Sequence, residues 1–401
     1  MIERDLKEIH EADLLRLISD PVREGRTIEY KSEVNLRTDD AKRKFLASIA
    51  SFANAAGGDF VLGVRTDSAD KALPVGLQPL AGFNADADVL MLQEIIRRHI
   101  SPKIFALDFK PVQISGGNAL VIRIRKTWTG AHMVTYNDDY RFYTRNQGGR
   151  YLMDAPEVRG VFLAGETAVR NLADFRSERV TRLASGERLI PTNGGSLLVI
   201  HLFAVESFSP GFRAELRNLT EGPENWMLLA PRAKQYGWRL RYSLAGPMAY
   251  ITPGTDPDIA AMYTQVFRNG ALEFVDSEYI ARDGAVINGI GVEIAIMGAT
   301  SKLLEATKRL AINPPYYVLP SILGIGGRKL DFFVDTHQKA ARAIPHEHII
   351  LPETTIEDPA TDLAGAFRPS FDILFNSCGL AGSPHFSANG AFVNDWRKHY
   401  V

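Results

Sequence analysis

Apolar positions along the first 165 residues switch between a helical period and a strand period, and the switches predict the elements. Leu14, Leu15, Leu17 and Ile18 fall on or near one face of a short helix within residues 1–22. Thr27, Ile28, Glu29, Tyr30 and Lys31 have the β-branched and aromatic character of a strand. Phe45, Leu46, Ile49, Phe52 and Ala53 then repeat at helical spacing, behind a Thr38 or Asp39 that can cap the helix. Gly57 and Gly58 supply the left-handed residues that a helix exit needs, and residues 60–64 follow as a short buried strand. A second amphipathic helix over 86–99 turns Val89, Leu92, Ile95 and Ile96 inward. Strands are expected at 104–109, at 119–124 with Arg123 and Arg125 facing outward, and at 140–144. A helix over 156–163 closes the segment.

The interleaving describes an α+β (mixed α/β) domain over residues 1–165. Residues 166–190 read as a connecting helix and linker, with Arg176, Arg179 and Arg182 in a row on one side. Such a row can hold a phosphate backbone, or form a solvated face that pairs with acids such as Glu178. Gly186 and the Pro191–Gly195 run mark the boundary to a second mixed α/β domain, 191–401. Strands are expected there at 197–205, 238–243, 271–275 and 285–290, with one strong helix over 294–310.

Composition narrows the class. At 401 residues, 45% hydrophobic and 23% charged, the chain is globular and long enough for two domains. A formal charge of −1 excludes a uniformly basic nucleic-acid coat and leaves room for a local basic patch. The 32 arginines against 14 lysines favour planar contacts to carboxylate or phosphate, or reflect genome composition. A single cysteine, Cys378, rules out an intrachain disulfide and a cysteine-based zinc site. The opening residues carry acids among their apolar positions and no h-region of a signal peptide. The longest apolar stretches fall far short of the roughly 20 residues a membrane span requires. A cytoplasmic protein is expected.

The stretch from Glu24 to Lys31 carries the chemistry. Two carboxylates five residues apart approach each other if the chain bends at Gly25, and Lys31 projects from the same strand face as Glu29. Two close carboxylates repel unless a cation or proton sits between them, which is how a Mg²⁺ or Mn²⁺ site for phosphodiester cleavage is built. The plainer alternative is two surface glutamates and a lysine near a strand start. Further along, Trp128, His132, Tyr136, Tyr140, Phe142 and Tyr143 interleave with Lys126, Arg141, Arg145 and Arg150. That mixture suits stacking on unpaired bases plus phosphate contacts, or a β-hairpin with one packed aromatic face. Arg97, Arg98 and Lys103 at a helix end extend such a groove or complement the helix dipole.

Three blocks in order, Glu24 with Glu29-Tyr30-Lys31, then Ala50 through Gly58, then Phe60 through Val64, resemble the Schlafen-type AlbA domain. Tyr143-Thr144-Arg145 followed by Ala155 through Val158 is similar to that family's closing strand and helix. The resemblance implies a metal-dependent endoribonuclease acting on structured RNA such as tRNA. Glu24, Glu29 and Asp67 would hold Mg²⁺ or Mn²⁺, and Lys31 would neutralise a phosphate. Lys126, Trp128, Arg141, Tyr143, Arg145 and Arg150 would hold the RNA. Asp67 comes three residues after Val64 where the family pattern has two, and positions 25 and 30 are Gly and Tyr rather than Ser and Phe. Vertebrate relatives of that family use two such lobes; here a homodimer, or residues 190–401, would supply the second, and an antiphage role would fit a bacterial member. The alternative is a non-catalytic DNA- or RNA-binding regulator with a C-terminal sensor or partner-binding domain.

Other motifs are weaker. The glycine run from Gly324 to Gly327 lacks the spacing of a phosphate loop and reads as a turn. His346 and His348 share one side of an extended segment with no third ligand in sight.

Overall fold

The computed structural model describes residues 1–401 except 3, 5, 34–35, 106, 128–129, 193, 209–211, 221, 231–236, 255, 279–285, 313, 335–336, 358–359, 388 and 396–401. The chain divides into two compact units, 1–167 and 168–401. Helices and sheets mix in both, as an α+β class requires.

In the first unit, α1 (Glu11–Ser19), β1 (Ile28–Lys31), α2 (Asp39–Asn54) and β2 (Gly58–Leu62) are followed by the short pair β3 (Val64–Thr66) and β4 (Pro74–Leu77). Then come α3 (Ala85–His99), β5 (Ile100–Ser101), β6 (Leu107–Ile114), β7 (Gly117–Ile124), β8 (Met133–Tyr136), β9 (Asp139–Asn146) and β10 (Gly149–Leu152). One sheet has the order β1-β2-β7-β6, with β1 parallel to β2 and the rest antiparallel. The other has the order β10-β9-β8-β5.

Period-two alternation gives the first sheet two apolar faces. Phe60, Leu62, Leu120, Ile122 and Ile124 pack toward α2, whereas Val61, Ala119 and Val121 pack toward α1, Ile28 and Tyr30. Helix α2 touches strands of both sheets, and every residue from Phe45 to Asn54 is buried. Its side chains are therefore wanted all round, which explains why Ser48 and Ser51 become interior groups. Thr38 caps it, its side chain accepting from the Ala41 amide. At its exit Gly58 has φ +154°, and a Cβ there would lie 2.4 Å from the Thr27 carbonyl oxygen and 2.5 Å from the Phe52 ring. Only glycine fits that approach.

Two expectations change here. The strand expected at 104–109 runs Leu107–Ile114. Arg123 does not face outward: it is buried, donating to both carboxylate oxygens of the fully buried Asp59 and to the carbonyls of Ile2 and Arg4. Asp59 and Arg123 are cross-strand partners, so the pair anchors the N-terminal segment.

The helix expected at 156–163 and the connecting helix expected within 166–190 are one helix, α4 (Ala155–Ala184), which runs on through Gly160 and Gly165. In the second unit the stretch after residue 168 is not a solvated face. Leu172, Arg176, Arg179 and Leu183 lie at i, i+4, i+7 and i+11, and the apolar members carry the arginines inward with them. Arg176 donates to the carbonyls of Pro320 and Leu351, both at 2.8 Å. Arg179 forks onto Glu273 at 2.7 and 2.9 Å, and only Arg182 stays outside, pairing with Glu178 as expected.

Among the described residues, the second unit is built on an eight-stranded sheet. Its spatial order is Arg239–Tyr242, Pro247–Ile251, Met262–Val266, Leu272–Asp276, Leu197–Ala204, Tyr316–Leu323 and His348–Ile350, with Thr354–Ile356 also pairing with Tyr316–Leu323. The helices Gly289–Arg309 and Leu363–Asn376 cover one face, and α4 covers the other. The glycine run at 324–327 is a turn with φ +68° at Gly324 and +78° at Gly327. Ala285, where one strand was expected to begin, lies outside the described residues; the strand described there is Val286–Asn288.

Glu273 is wholly buried and receives Arg179, His201 at 3.0 Å and the Tyr263 hydroxyl at 3.1 Å. Burial pushes its carboxyl up, but Arg179 and His201 outweigh burial and hold the pKa at about 2. Arg179→Leu should therefore cost the second unit about 3–5 kcal/mol in urea denaturation, since it leaves a buried charge short of its main partner. Arg179→Leu/Glu273→Leu should recover much of that loss. A single-variant loss below about 1 kcal/mol would mean the pair does not hold the sheet to the helix.

Candidate nucleic-acid interface

The site is assembled where β1 ends. The Gly25 amide donates to the Ile28 carbonyl at 3.0 Å, closing a tight turn. The turn swings Glu24 back over the strand, where its Oε1 accepts from the Tyr30 amide at 2.6 Å. Lys31 Nζ then stands 3.8 Å from Glu24 and 3.0 Å from Glu29 Oε1. The bend thus brings both glutamates to the same lysine.

Glu29 is the centre of the group and is 5% exposed. Besides Lys31 it receives Arg145 Nη1 at 3.1 Å on Oε2 and Arg150 Nη1 at 3.3 Å on Oε1. The Ser48 hydroxyl donates to Oε1 at 3.0 Å. Burial works to raise the Glu29 pKa, but Lys31, Arg145 and Arg150 together outweigh it and hold the carboxyl below its ordinary value. Glu24 goes the other way: burial pushes it up, and Lys31 and the Tyr30 amide only partly offset that.

Arg145 and Arg150 are direct cross-strand partners in β9 and β10. Like charges in that position repel, so the pairing depends on the carboxylate both arginines reach. Arg145 also donates to the Gly25 carbonyl at 3.1 Å and lies over the Phe52 ring at 3.5 Å. At 1% side-chain exposure it is an interior strut, not the nucleic-acid contact expected from the sequence. Arg150 and Lys31, at 26% and 45%, still reach the surface.

Asp67 is not brought into this group. Its Oδ1 accepts from the amides of Ala69 and Asp70 at 2.8 and 2.9 Å, ordering the loop between β3 and β4. That loop does run beside Glu24, whose amide donates to the Ala72 carbonyl at 2.8 Å. Among the described residues no three His, Cys, Asp or Glu side chains come together to hold a metal. The donor chemistry agrees: a dication would have to enter against three cations already converging on Glu29. As arranged, these residues do not fit Mg²⁺ or Mn²⁺.

The aromatic-basic stretch is a hairpin of β8 and β9, with Asn137 and Asp138 both at positive φ in its two-residue turn. Tyr136 and Tyr143 pack on the α2 core, and the Tyr136 hydroxyl donates to Asp39 at 2.7 Å. His132 is fully buried: Nδ1 meets the Pro102 carbonyl at 2.6 Å, which requires that nitrogen to carry the proton, and Nε2 faces the Thr127 hydroxyl. Tyr140 and Arg141 point outward, Arg141 pairing with Asp139. Lys126 is depressed by burial and then by the nearby Arg26. Trp128 lies outside the described residues.

Residues 24–154 match the sequence profile of the family described as Schlafen, AlbA_2. The first unit carries a Schlafen AlbA_2 domain. This places it in a nucleic-acid-related family. No curated protein matches the chain. Among solved structures, the N-terminal domain of a RecG-related protein from Nitrosomonas europaea is 21% identical, covering 30% of this chain and 74% of that one at a TM-score of 0.24. The DIP2311 protein from Corynebacterium diphtheriae is 15% identical over 36% of this chain and 26% of that one, also at 0.24. No helix among the described residues is long and apolar enough to cross a membrane.

Sequence reasoning passed over the serines and asparagine of α2. Ser48, Ser51 and Asn54 sit at i, i+3 and i+6 on a buried helix, a polar seam among apolar neighbours. Asn54 receives the His132 amide at 2.7 Å and donates to the carbonyls of His132 and Tyr143 at 2.9 and 2.8 Å, tying the AlbA_2 helix to its hairpin.

Glu29→Gln should cost the domain about 3–5 kcal/mol, because three converging cations lose their charged partner. A carboxyl held below its ordinary 4.5 contributes stability that is present above that pH and is lost as pH falls through its folded value. The wild type should accordingly lose stability below about pH 4.5 more steeply than Glu29→Gln in paired urea melts. Parallel pH profiles would show that Glu29 is not the coupled group.

Proposed function

We propose that the AlbA_2 domain binds nucleic acid through its phosphates without metal-dependent cleavage, Glu24 and Glu29 serving to hold the binding cations in position. One observation carries this reading: Lys31, Arg145 and Arg150 converge on the buried Glu29 carboxylate, and two of the three remain open to solvent. Counting Glu24, three positive charges face two negative ones, so the group retains a net attraction for an incoming anion.

In this mechanism the carboxylates act before the ligand arrives. Glu29 fixes the Arg150 and Lys31 head groups, so little side-chain freedom is lost when a phosphate oxygen joins them. Arg150 offers its remaining guanidinium N–H donors in a planar fork and Lys31 a point charge, which suits backbone contacts that are indifferent to sequence. The reading requires neither a metal nor a homodimer. Metal-dependent cleavage of RNA would need Glu29 to release its cations and Asp67 to leave its loop.

The test is a binding titration of single- and double-stranded RNA and DNA across salt, with and without Mn²⁺. The expected result is affinity that falls linearly with log salt, losing about one unit of slope for each of Lys31→Ala and Arg150→Ala, with the nucleic acid intact. Cleavage in Mn²⁺ that disappears in Glu24→Gln and Glu29→Gln would contradict it and restore the nuclease.

A further inference from the structure

Beside the charged group lies an open pocket of about 300 Å³ between α2, β1 and β2. Its floor is apolar: Phe45 and Phe60, packed edge to face at 5.8 Å, with Leu62 beside them. Its rim is cationic: Lys31 and Arg150 from the group around Glu29, and Lys44 from α2. Among the described residues Glu33 is the one acid on the rim, and Lys44 keeps an ion pair with Asp40 at 2.7 Å on the helix surface.

A pocket with this division takes a ligand that is itself divided, flat and apolar at one end and anionic at the other. We propose that it receives one unpaired nucleotide, the base against the phenylalanine floor and the 5′-phosphate at Lys31, Arg150 and Lys44. The volume sits at the small end of the roughly 300–1,000 Å³ range of ligand pockets, suited to a single nucleotide and not to a stacked run. The phosphate enters beside Lys31 and Arg150, where the cations gathered on Glu29 outnumber the two glutamates. An apolar floor of this kind accepts any base face, so the pocket selects for an unpaired base over a paired one, not for sequence. The inference rests on the nucleic-acid reading above and adds to it a preference for strands with a free base.

Ala41 lines the pocket from the first turn of α2, partly open to solvent and outside the phosphate-holding group. Ala41→Trp fills the space and leaves every rim charge in place. The experiment follows AMP, UMP and uncharged adenosine by calorimetry and by amide shifts, and follows single strands and duplexes by binding titration. AMP and UMP should bind saturably, shift amides of β1, β2 and the start of α2, and lose about tenfold or more in affinity in Ala41→Trp. Adenosine should bind more weakly than AMP. Lys44→Glu, on an exposed side chain, should weaken AMP and leave adenosine unchanged. Single strands should weaken with Ala41→Trp while duplexes bind as before. AMP binding untouched by Ala41→Trp, or shifts confined to another surface, would overturn the pocket assignment. If wild-type protein binds duplexes and not AMP, the pocket fails alone. If AMP binds in the pocket and no nucleic acid binds at all, the pocket stands and the nucleic-acid reading of the domain fails.

Discussion

The carboxylate of Glu29 is the point on which the first unit's chemistry depends. It is buried at the second position of the parallel strand β1, and a buried charge persists only when it is paired and hydrogen-bonded. Four groups meet that demand, and they come from places far apart in sequence: Lys31 from β1, Ser48 from α2, Arg145 from β9 and Arg150 from β10. Both sheets and the helix between them are therefore tied through one side chain. The same contact lets two arginines sit opposite each other across a strand pair, which would otherwise be repulsive.

This arrangement supports the proposed reading of the family's glutamates in this chain. Glu29 is the counter-ion of three cations, and in the proposed reading it keeps Lys31 and Arg150 aimed at the surface. Asp67, three residues beyond Val64, spends its side chain on its own loop, so the third position of a metal triad is not supplied from there. The second unit repeats the physical theme without an exposed cation. Glu273, Arg179, His201 and Tyr263 form a buried group, which ties α4 to the sheet.

Much of the first unit was legible in the sequence because its patterns are local. The alternation in 60–64, the helical spacing of Phe45 through Ala53 and the glycines at 57–58 each name an element and its exit. The Glu24–Lys31 cluster was legible too, since a bend at Gly25 and the two-residue strand repeat suffice to bring those three side chains together. What sequence could not supply was the partner. Nothing near Arg145 announces that it turns inward onto Phe52 and Glu29 rather than outward onto RNA, because both partners lie about a hundred residues away. Arg123 and Arg179 misled for the same reason: an arginine opposite a buried acid looks, in one dimension, like an arginine facing water. The apolar residues flanking Arg176 and Arg179, Leu172 and Leu183, were the available signal. In the second unit Pro247–Ile251 and Met262–Val266 are buried throughout yet include proline, threonine and glutamine, and Tyr316–Leu323 is broken by Pro320 and Ser321, so neither alternation nor a plain apolar run marks them.

The central claim is that Glu24 and Glu29 hold cations of the protein itself and not a divalent metal. Titration of Mn²⁺ into isotope-labelled protein, read by paramagnetic broadening of the amides of residues 24–31, tests it directly. The account predicts no broadening centred on those residues, and the same residual effect in Glu24→Gln/Glu29→Gln. Saturable broadening focused there in the wild type, and absent from the double variant, would contradict it.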